Sequence, residues 1–238
     1  MRIEIWSDVV CPWCYIGKRR LEAALEGFEH ADEVEVVYRS FELDPSSPAR
    51  GTESVSSYLG RKYGGGEAAG RAMIARSTGI ADEVELTFDY ADAVRSRTVD
   101  AHRLLHLALE TGGPRLQREL KEALLAAYFT RAEDMGDHDV LRKAAAGVGL
   151  DGGRVDEVLA SSEFEDAVRA DVAQAQAYGA TGVPFFVIDE RYGVAGAQPT
   201  EVFTQLLDRA WSDAHPAIEL VGPEGTDGAV CGPDGCAV

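Results

Sequence analysis

The run Trp6-Ser-Asp-Val-Val-Cys11-Pro-Trp-Cys14-Tyr-Ile-Gly restricts what this chain can become more than any other stretch. Before it, Ile3 and Ile5 alternate with Glu4, the period of a strand over residues 2–6. After it, Ile16, Leu21, Ala24, Leu25 and Phe28 recur at three- and four-residue spacing, which predicts a helix to about residue 28. The two cysteines therefore stand at a strand-to-helix junction, with Cys11 at the helix N-cap. The first N–H groups of a helix lack intrahelical partners, and the summed peptide dipoles place about half a positive charge there. Pro12 suits the first helical position because it has no N–H to orphan and its φ is already helical. The amides of Trp13 and Cys14 are then expected to face the Cys11 sulfur and favour its thiolate. Each unit of thiol pKa depression is worth about 1.4 kcal/mol of preference for the anion, and stabilising the anion makes the matching disulfide more oxidising. Cys14, one turn further in, is expected to be buried as the resolving thiol.

Half of a zinc site, or two buried cysteines with no role, are the competing readings. The other two cysteines, Cys231 and Cys236, lie at the far end of the 238-residue chain, outside zinc-ribbon spacing. Cysteines in two close pairs, rather than a scattered disulfide framework, fit a reducing compartment, and the first strand starts at residue 2 with no leader pattern before it. A cytoplasmic protein is expected. The formal net charge is -18 and no lysine or arginine run occurs, which disfavours nucleic acid and anionic membrane as partners, since both demand clustered positive charge.

A second strand is expected over 34–43, ending at the Asp44-Pro45 turn. Strand, helix and strand make a right-handed βαβ unit with parallel neighbours, placing the cysteines at the carboxyl end of the first strand. Helices are then expected over 53–63, 67–77, 98–110, 115–130, 137–146, 152–160 and 163–178, the last opened by Ser162-Glu-Phe-Glu165 read as a capping box. The unbroken apolar run 184–189 marks a strand buried on both faces, followed by a turn at 189–191, an antiparallel strand over 192–196 and a last helix opened by Pro199. The expected domain plan is α/β: a first half over 1–45, an all-helical insertion over 46–178, a second half over 179–214, and a flexible Gly/Pro-rich tail over 215–238.

This order, βαβ with Cys-X-X-Cys at its first junction, then helices, then ββα, resembles the thioredoxin-like fold of the DsbA family. Ser-Asp-Val-Val-Cys-Pro-Trp-Cys-Tyr-Ile-Gly, Arg-Ser-Phe-Glu-Leu-Asp-Pro, Thr98-Val-Asp-Ala-His-Arg-Leu104, Ala127-Tyr-Phe-Thr130 and Thr181-Gly-Val-Pro-Phe-Phe-Val187 are similar to FrnE-like DsbA-family oxidoreductases over residues 2–212. 2-Hydroxychromene-2-carboxylate isomerases and kappa-class glutathione transferases share that clan. The resemblance implies a thiol–disulfide oxidoreductase with Cys11 as nucleophile, Cys14 as resolving thiol, and a cis Val183-Pro184 peptide facing them. Taken alone, an X–Pro bond is trans. A proline there leaves the Val183 backbone open to pair with a substrate strand. Where Cys11 stands, the glutathione-dependent relatives typically carry serine and lack the second thiol, so redox chemistry is favoured. No bound cofactor is expected, with glutathione left as a co-substrate.

Asp8 is read as a proton acceptor for exchange or a cap on local amides; a carboxylate near the thiolate would raise the thiol pKa. Trp13 is expected to be exposed and to tune the partner face, with a packing role as the alternative. His102, His106 and Glu110, at i, i+4 and i+8, could line up as metal ligands or form an ordinary polar or packed face, and no metal is assigned. Cys231 and Cys236 are a second redox pair or spectators. The expected partners are protein or small-molecule thiols, met as a monomer or homodimer. The alternatives are glutathione-dependent isomerisation or conjugation of an aromatic or polyketide-like molecule, and a redox-regulated chaperone-like binding protein.

Overall fold

Strand β1 (Arg2–Ser7) is buried at every position after Arg2, because it lies between two other strands. It pairs in parallel with β2 (Glu35–Ser40), from Arg2 opposite Glu35 to Ser7 opposite Ser40, through the intervening helix α1 (Pro12–Glu26). On its other side runs antiparallel β3 (Phe185–Ile188), with Ile5 opposite Phe186, and β4 (Tyr192–Ala195) completes the order β2-β1-β3-β4. The hairpin between β3 and β4 turns through Asp189 and Glu190, both at positive φ. The computed structural model describes residues 1–216, 231–232 and 235–236. Most of the expected tail 215–238 lies outside the described residues.

The second strand ends at Ser40 rather than near residue 43. The Ser40 N–H donates to Asp171 Oδ2 at 2.8 Å and the Leu43 N–H to Asp8 Oδ2 at 2.8 Å, so side chains take the amides a longer ladder would have used. Helix α8 (Thr200–Ala214) and α1 cover one sheet face over Ile3, Ile5, Leu21, Phe28, Phe186, Phe203 and Leu207. Helix α7 (Glu165–Ala177) covers the other over Trp6, Phe185 and Val187, and the Trp6 indole N–H donates to the Asp171 carbonyl at 2.7 Å.

Between β2 and α7 lie α2 (Val55–Tyr63), α3 (Gly66–Asp82), α4 (Val99–Arg131), α5 (His138–Gly147) and α6 (Gly152–Ala160). Helices α2 and α3 touch backbone to backbone: a Cβ on Gly70 would sit 1.9 Å from the Ser56 carbonyl oxygen, so only glycine fits. The two helices expected over 98–110 and 115–130 form one run, α4, broken at Gly113 (φ 68, ψ -168) just before Pro114. The capping box expected at Ser162 is not formed. Ser161 Oγ takes the Glu163 N–H instead, and the helix starts at Glu165 behind Phe164 at φ 65. Phe164 is drawn out of helical geometry to lie parallel to the His106 ring, 6.1 Å between centroids, at the edge of the helical core.

That core is built on Leu104, Leu107, Leu120, Leu124 and Phe129 of α4 and takes in Val9, Tyr15 and Ile16 from the cysteine junction and α1. One apolar mass thus runs from the helical region to the segment carrying the cysteines. Gln117 of α4 closes the sheet edge: its amide accepts the Tyr38 N–H at 2.8 Å and donates to the Tyr38 carbonyl at 2.9 Å, satisfying backbone groups that an edge strand would leave open. Among the described residues no helix is long and apolar enough to cross a membrane.

Candidate functional site

Cys11 occupies the N-cap of α1 with extended backbone geometry, and Pro12 is the first helical residue. Both Cys11 and Cys14 are free thiols and both are buried, at 2% and 3% exposure. The Val183–Pro184 peptide is cis, and the Cys11 thiol points at its near side, donating to the Val183 carbonyl at 3.6 Å. Two segments separated by most of the chain thus meet at one sulfur.

The expected cap on that sulfur is absent. Cys11 makes no side-chain capping bond, and the Cys14 N–H donates instead to the Cys11 carbonyl at 3.0 Å in ordinary helical fashion. Burial and the adjoining Cys14 thiol push the Cys11 pKa up; the Cys14 amide opposes them and loses, and the Asp8 charge adds to the rise. The expectation of a thiolate favoured by the helix terminus is therefore corrected for this closed, reduced pair: removing water from a sulfur outweighs the partial charge of one amide.

Asp8 is fully buried, and its roles as cap and as charged neighbour coincide. Oδ1 accepts the Val9 N–H at 2.7 Å and lies 3.2 Å from His102 Nε2, while Oδ2 accepts the Leu43 N–H. Burial raises its pKa, but His102, the Leu43 amide and Lys121 together outweigh burial and hold it below its ordinary 3.8. His102 is itself pushed down from 6.5 by burial, against the pull of Asp8. Both groups bind protons more readily unfolded than folded, so stability falls as pH falls: first below 6.5, as the unfolded imidazole charges, then through the depressed carboxylate pKa below 3.8. Asp8→Asn is expected to cost about 3 kcal/mol near neutrality, in a gap that closes below pH 3.8. Denaturant unfolding of both proteins from pH 7 downward measures it, and a gap independent of pH would assign the loss to packing alone.

His102, His106 and Glu110 do not converge. His102 turns to Asp8, His106 lies 3.2 Å from Asp171 Oδ2 and 3.0 Å from Ser40 Oγ, and Glu110 is exposed. Cys231 and Cys236 are opposite one another in a short antiparallel ladder of β5 (Cys231–Gly232) and β6 (Gly235–Cys236); their side chains lie outside the described residues.

Above the Cys11 thiol opens a cavity of about 530 Å³ whose far walls are α2 and α3, with Trp13, Tyr58, Arg76, Tyr90 and Tyr128 among its lining. Trp13 is 38% exposed at its rim. Helical periodicity marked α2 and α3 but carried no sign that Tyr58 of α2 and Arg76 of α3 would line a cavity with the cysteines from so far along the chain. A second cavity, of about 650 Å³, lies between α4, α5 and α6 and contains no cysteine.

The profile of the DSBA-like thioredoxin domain matches residues 2–208. YwbO of Bacillus subtilis (strain 168) is 29% identical over 209 residues, 87% of this chain and 96% of that protein. Among solved structures, the probable DsbA oxidoreductase SCO1869 from Streptomyces coelicolor is 44% identical and superposes with a TM-score of 0.84, covering 100% of this chain and 99% of that one. A 2-hydroxychromene-2-carboxylate isomerase, at 10% identity, TM-score 0.67 and coverage of 90% and 98%, shares the fold. A reduced cysteine pair beside a cis-proline, on a sheet and helical region matched along nearly their whole length, places this chain in the DSBA-like thioredoxin domain family, as a DsbA-like oxidoreductase.

Proposed function

We propose that the chain carries out thiol–disulfide exchange through Cys11 and Cys14 with small-molecule or protein thiols that enter the cavity above Cys11. The observation that carries this reading is the Cys11 thiol at the cavity floor, 3.6 Å from the Val183 carbonyl, with Cys14 buried behind it. In the reducing direction the Cys11 sulfur, its proton lost to solvent, attacks one sulfur of a substrate disulfide. The substrate S–S bond breaks and the departing thiolate takes up a proton. Cys14 then loses its proton and attacks Cys11 Sγ, the mixed disulfide breaks, and the second substrate thiol leaves. Two electrons and two protons pass from the pair to the substrate; the oxidising direction is the reverse.

Lys62, bonded to the Tyr58 hydroxyl at 2.9 Å, and Arg76 put positive charge on the cavity wall, which supports substrates bearing carboxylates. Glutathione fits that class as a co-substrate, and exchange of this kind uses no bound cofactor. A cytoplasmic setting, where thiols stay reduced until used, fits the two close cysteine pairs. Directly opposite residues of an antiparallel ladder have Cα atoms roughly 4.5–5.5 Å apart, within the span of a disulfide, so Cys231 and Cys236 suit a second redox pair.

The test is a trap. Cys14→Ser, incubated with oxidised glutathione or with an oxidised peptide, is expected to accumulate a mixed disulfide on Cys11, read as a mass increase on the peptide containing residue 11. No adduct under conditions where the wild-type protein turns over would end this reading. The cavity, of small-molecule size, also favours a second one, glutathione-dependent isomerisation or conjugation. Tight glutathione binding by calorimetry with turnover undiminished in Cys14→Ser would select it.

A further inference from the structure

Exposed apolar side chains gather at the cavity over Cys11. Among the described residues six large hydrophobic side chains are exposed, and four of them, Trp13, Leu43, Tyr63 and Met73, line that cavity. They come from α1, the segment after β2, α2 and α3. Folding stabilises a chain by burying such groups, and a soluble protein seldom clusters exposed ones except where something binds. The volume, about 530 Å³, is that of a small-molecule site. Cys11 on its floor is almost fully buried, so a small disulfide reaches the sulfur directly, whereas a protein disulfide must be carried in on a narrow, extended end.

The uncompensated charge on the cavity wall is of one sign. Asp44 is paired with Arg95, and Asp8 is engaged by the Val9 and Leu43 amides and by His102. Lys62 and Arg76 remain. The Lys62 ammonium donates to the Tyr58 hydroxyl at 2.9 Å and lies 5.5 Å from the centre of the Tyr63 ring, and Arg76 is exposed on α3. Neither forms an ion pair among the described residues. In a chain of net charge -18, two such cations in one cleft attract an anion that the rest of the surface repels.

We propose that the preferred substrate is a small disulfide bearing both an aromatic ring and a carboxylate. The ring lies among Trp13, Tyr63 and Met73 at the mouth, and the carboxylate meets Arg76 and Lys62. This deepens the exchange reading and rests on it for its chemistry. Cys11 Sγ, its proton lost to solvent, attacks one substrate sulfur; the S–S bond breaks and the first thiolate leaves. Cys14 loses its proton and attacks Cys11 Sγ, and the second thiolate leaves. Two electrons pass from the pair to the substrate.

Four probes separate ring from charge: dithiobis(nitrobenzoate) has both, dithiodipyridine the ring alone, dithiodipropionate the carboxylate alone, and cystamine neither. Stopped-flow oxidation of the reduced full-length chain, with Cys231→Ser and Cys236→Ser so that one pair reacts, gives a rate constant for each. Comparing variant with parent probe by probe cancels the probes' own reactivities. Arg76→Met is expected to slow the two carboxylates about fivefold more than the other two probes. Tyr63→Ser is expected to slow the two aromatic probes about fivefold more than the aliphatic ones. Both positions are exposed, so folding is spared. Equal changes across all four probes in both variants would overturn the proposal. So would slower insulin reduction in Tyr63→Ser with the aromatic probes unmoved, which would put a polypeptide at the mouth.

Methylthio-nitrobenzoate has the ring and the carboxylate but no disulfide. It is expected to shift the Trp13 indole NMR signal saturably, with weaker binding in Arg76→Met. Such binding in a protein that exchanges with no disulfide would sink the exchange reading and leave this site standing. A protein that exchanges but shows no shift would keep that reading and overturn the site.

Discussion

Cys11→Ser is expected to bring insulin reduction and the reoxidation of reduced ribonuclease to the level of the uncatalysed control. Serine fits the space: Cys11 is almost fully buried and its thiol donates to the Val183 carbonyl, a bond a hydroxyl can make. Folding should therefore survive, with a thermal midpoint close to that of the wild type, and the loss is chemical. Oxygen cannot hold the mixed disulfide on which exchange depends. Cys14→Ser provides the contrast, because it leaves the first attack possible and blocks only resolution. Activity retained in Cys11→Ser would mean that some other sulfur leads, with the Cys231 and Cys236 pair the first to test.

Phe129→Ala is expected to cost about 4 kcal/mol and, at about 2–4 °C per kcal/mol for a domain of this size, roughly 10 °C in melting temperature. Phe129 has no exposed surface and packs on Phe88 at 4.6 Å, Tyr90 at 4.8 Å, Tyr128 at 5.0 Å and Tyr15 at 6.0 Å between centroids. Truncation leaves a hole among rings anchored on three separate segments, α1, the stretch before α4 and α4 itself, which cannot close together, so little of the lost contact is recovered. Tyr90 and Tyr128 also line the cavity above Cys11, so the substrate KM is expected to rise in protein that remains folded. Thermal melts followed by circular dichroism measure the stability term, and a loss under 1 kcal/mol would show that the cluster relaxes around the gap.

The strand–cysteine–helix junction is legible in the amino-acid order because its signals are local: an alternation of two, a recurrence near four, a proline at the first helical position. Three features that depend on long-range contacts were not legible there. The second strand was read too long because Asp8 and Asp171 claim amides that the strand pattern assigned to a ladder. The capping box at Ser162 failed because Phe164 leaves helical geometry beside His106. Lys121 went unnoticed although Gln117, Lys121 and Leu124 share one face of α4; polar residues on a buried stripe were the available sign, and what they would meet was not.

The amino-acid order by itself determined that two thiols would stand at a helix start beside an open α/β sheet, since propensity, period and turn chemistry act over a few residues. The proton affinity of the leading thiol was decided elsewhere. It depends first on how completely water is excluded from a sulfur packed against the segment before Pro184, with the Cys14 thiol and the Asp8 charge adding to the rise, and desolvation acts through space without regard to distance along the chain.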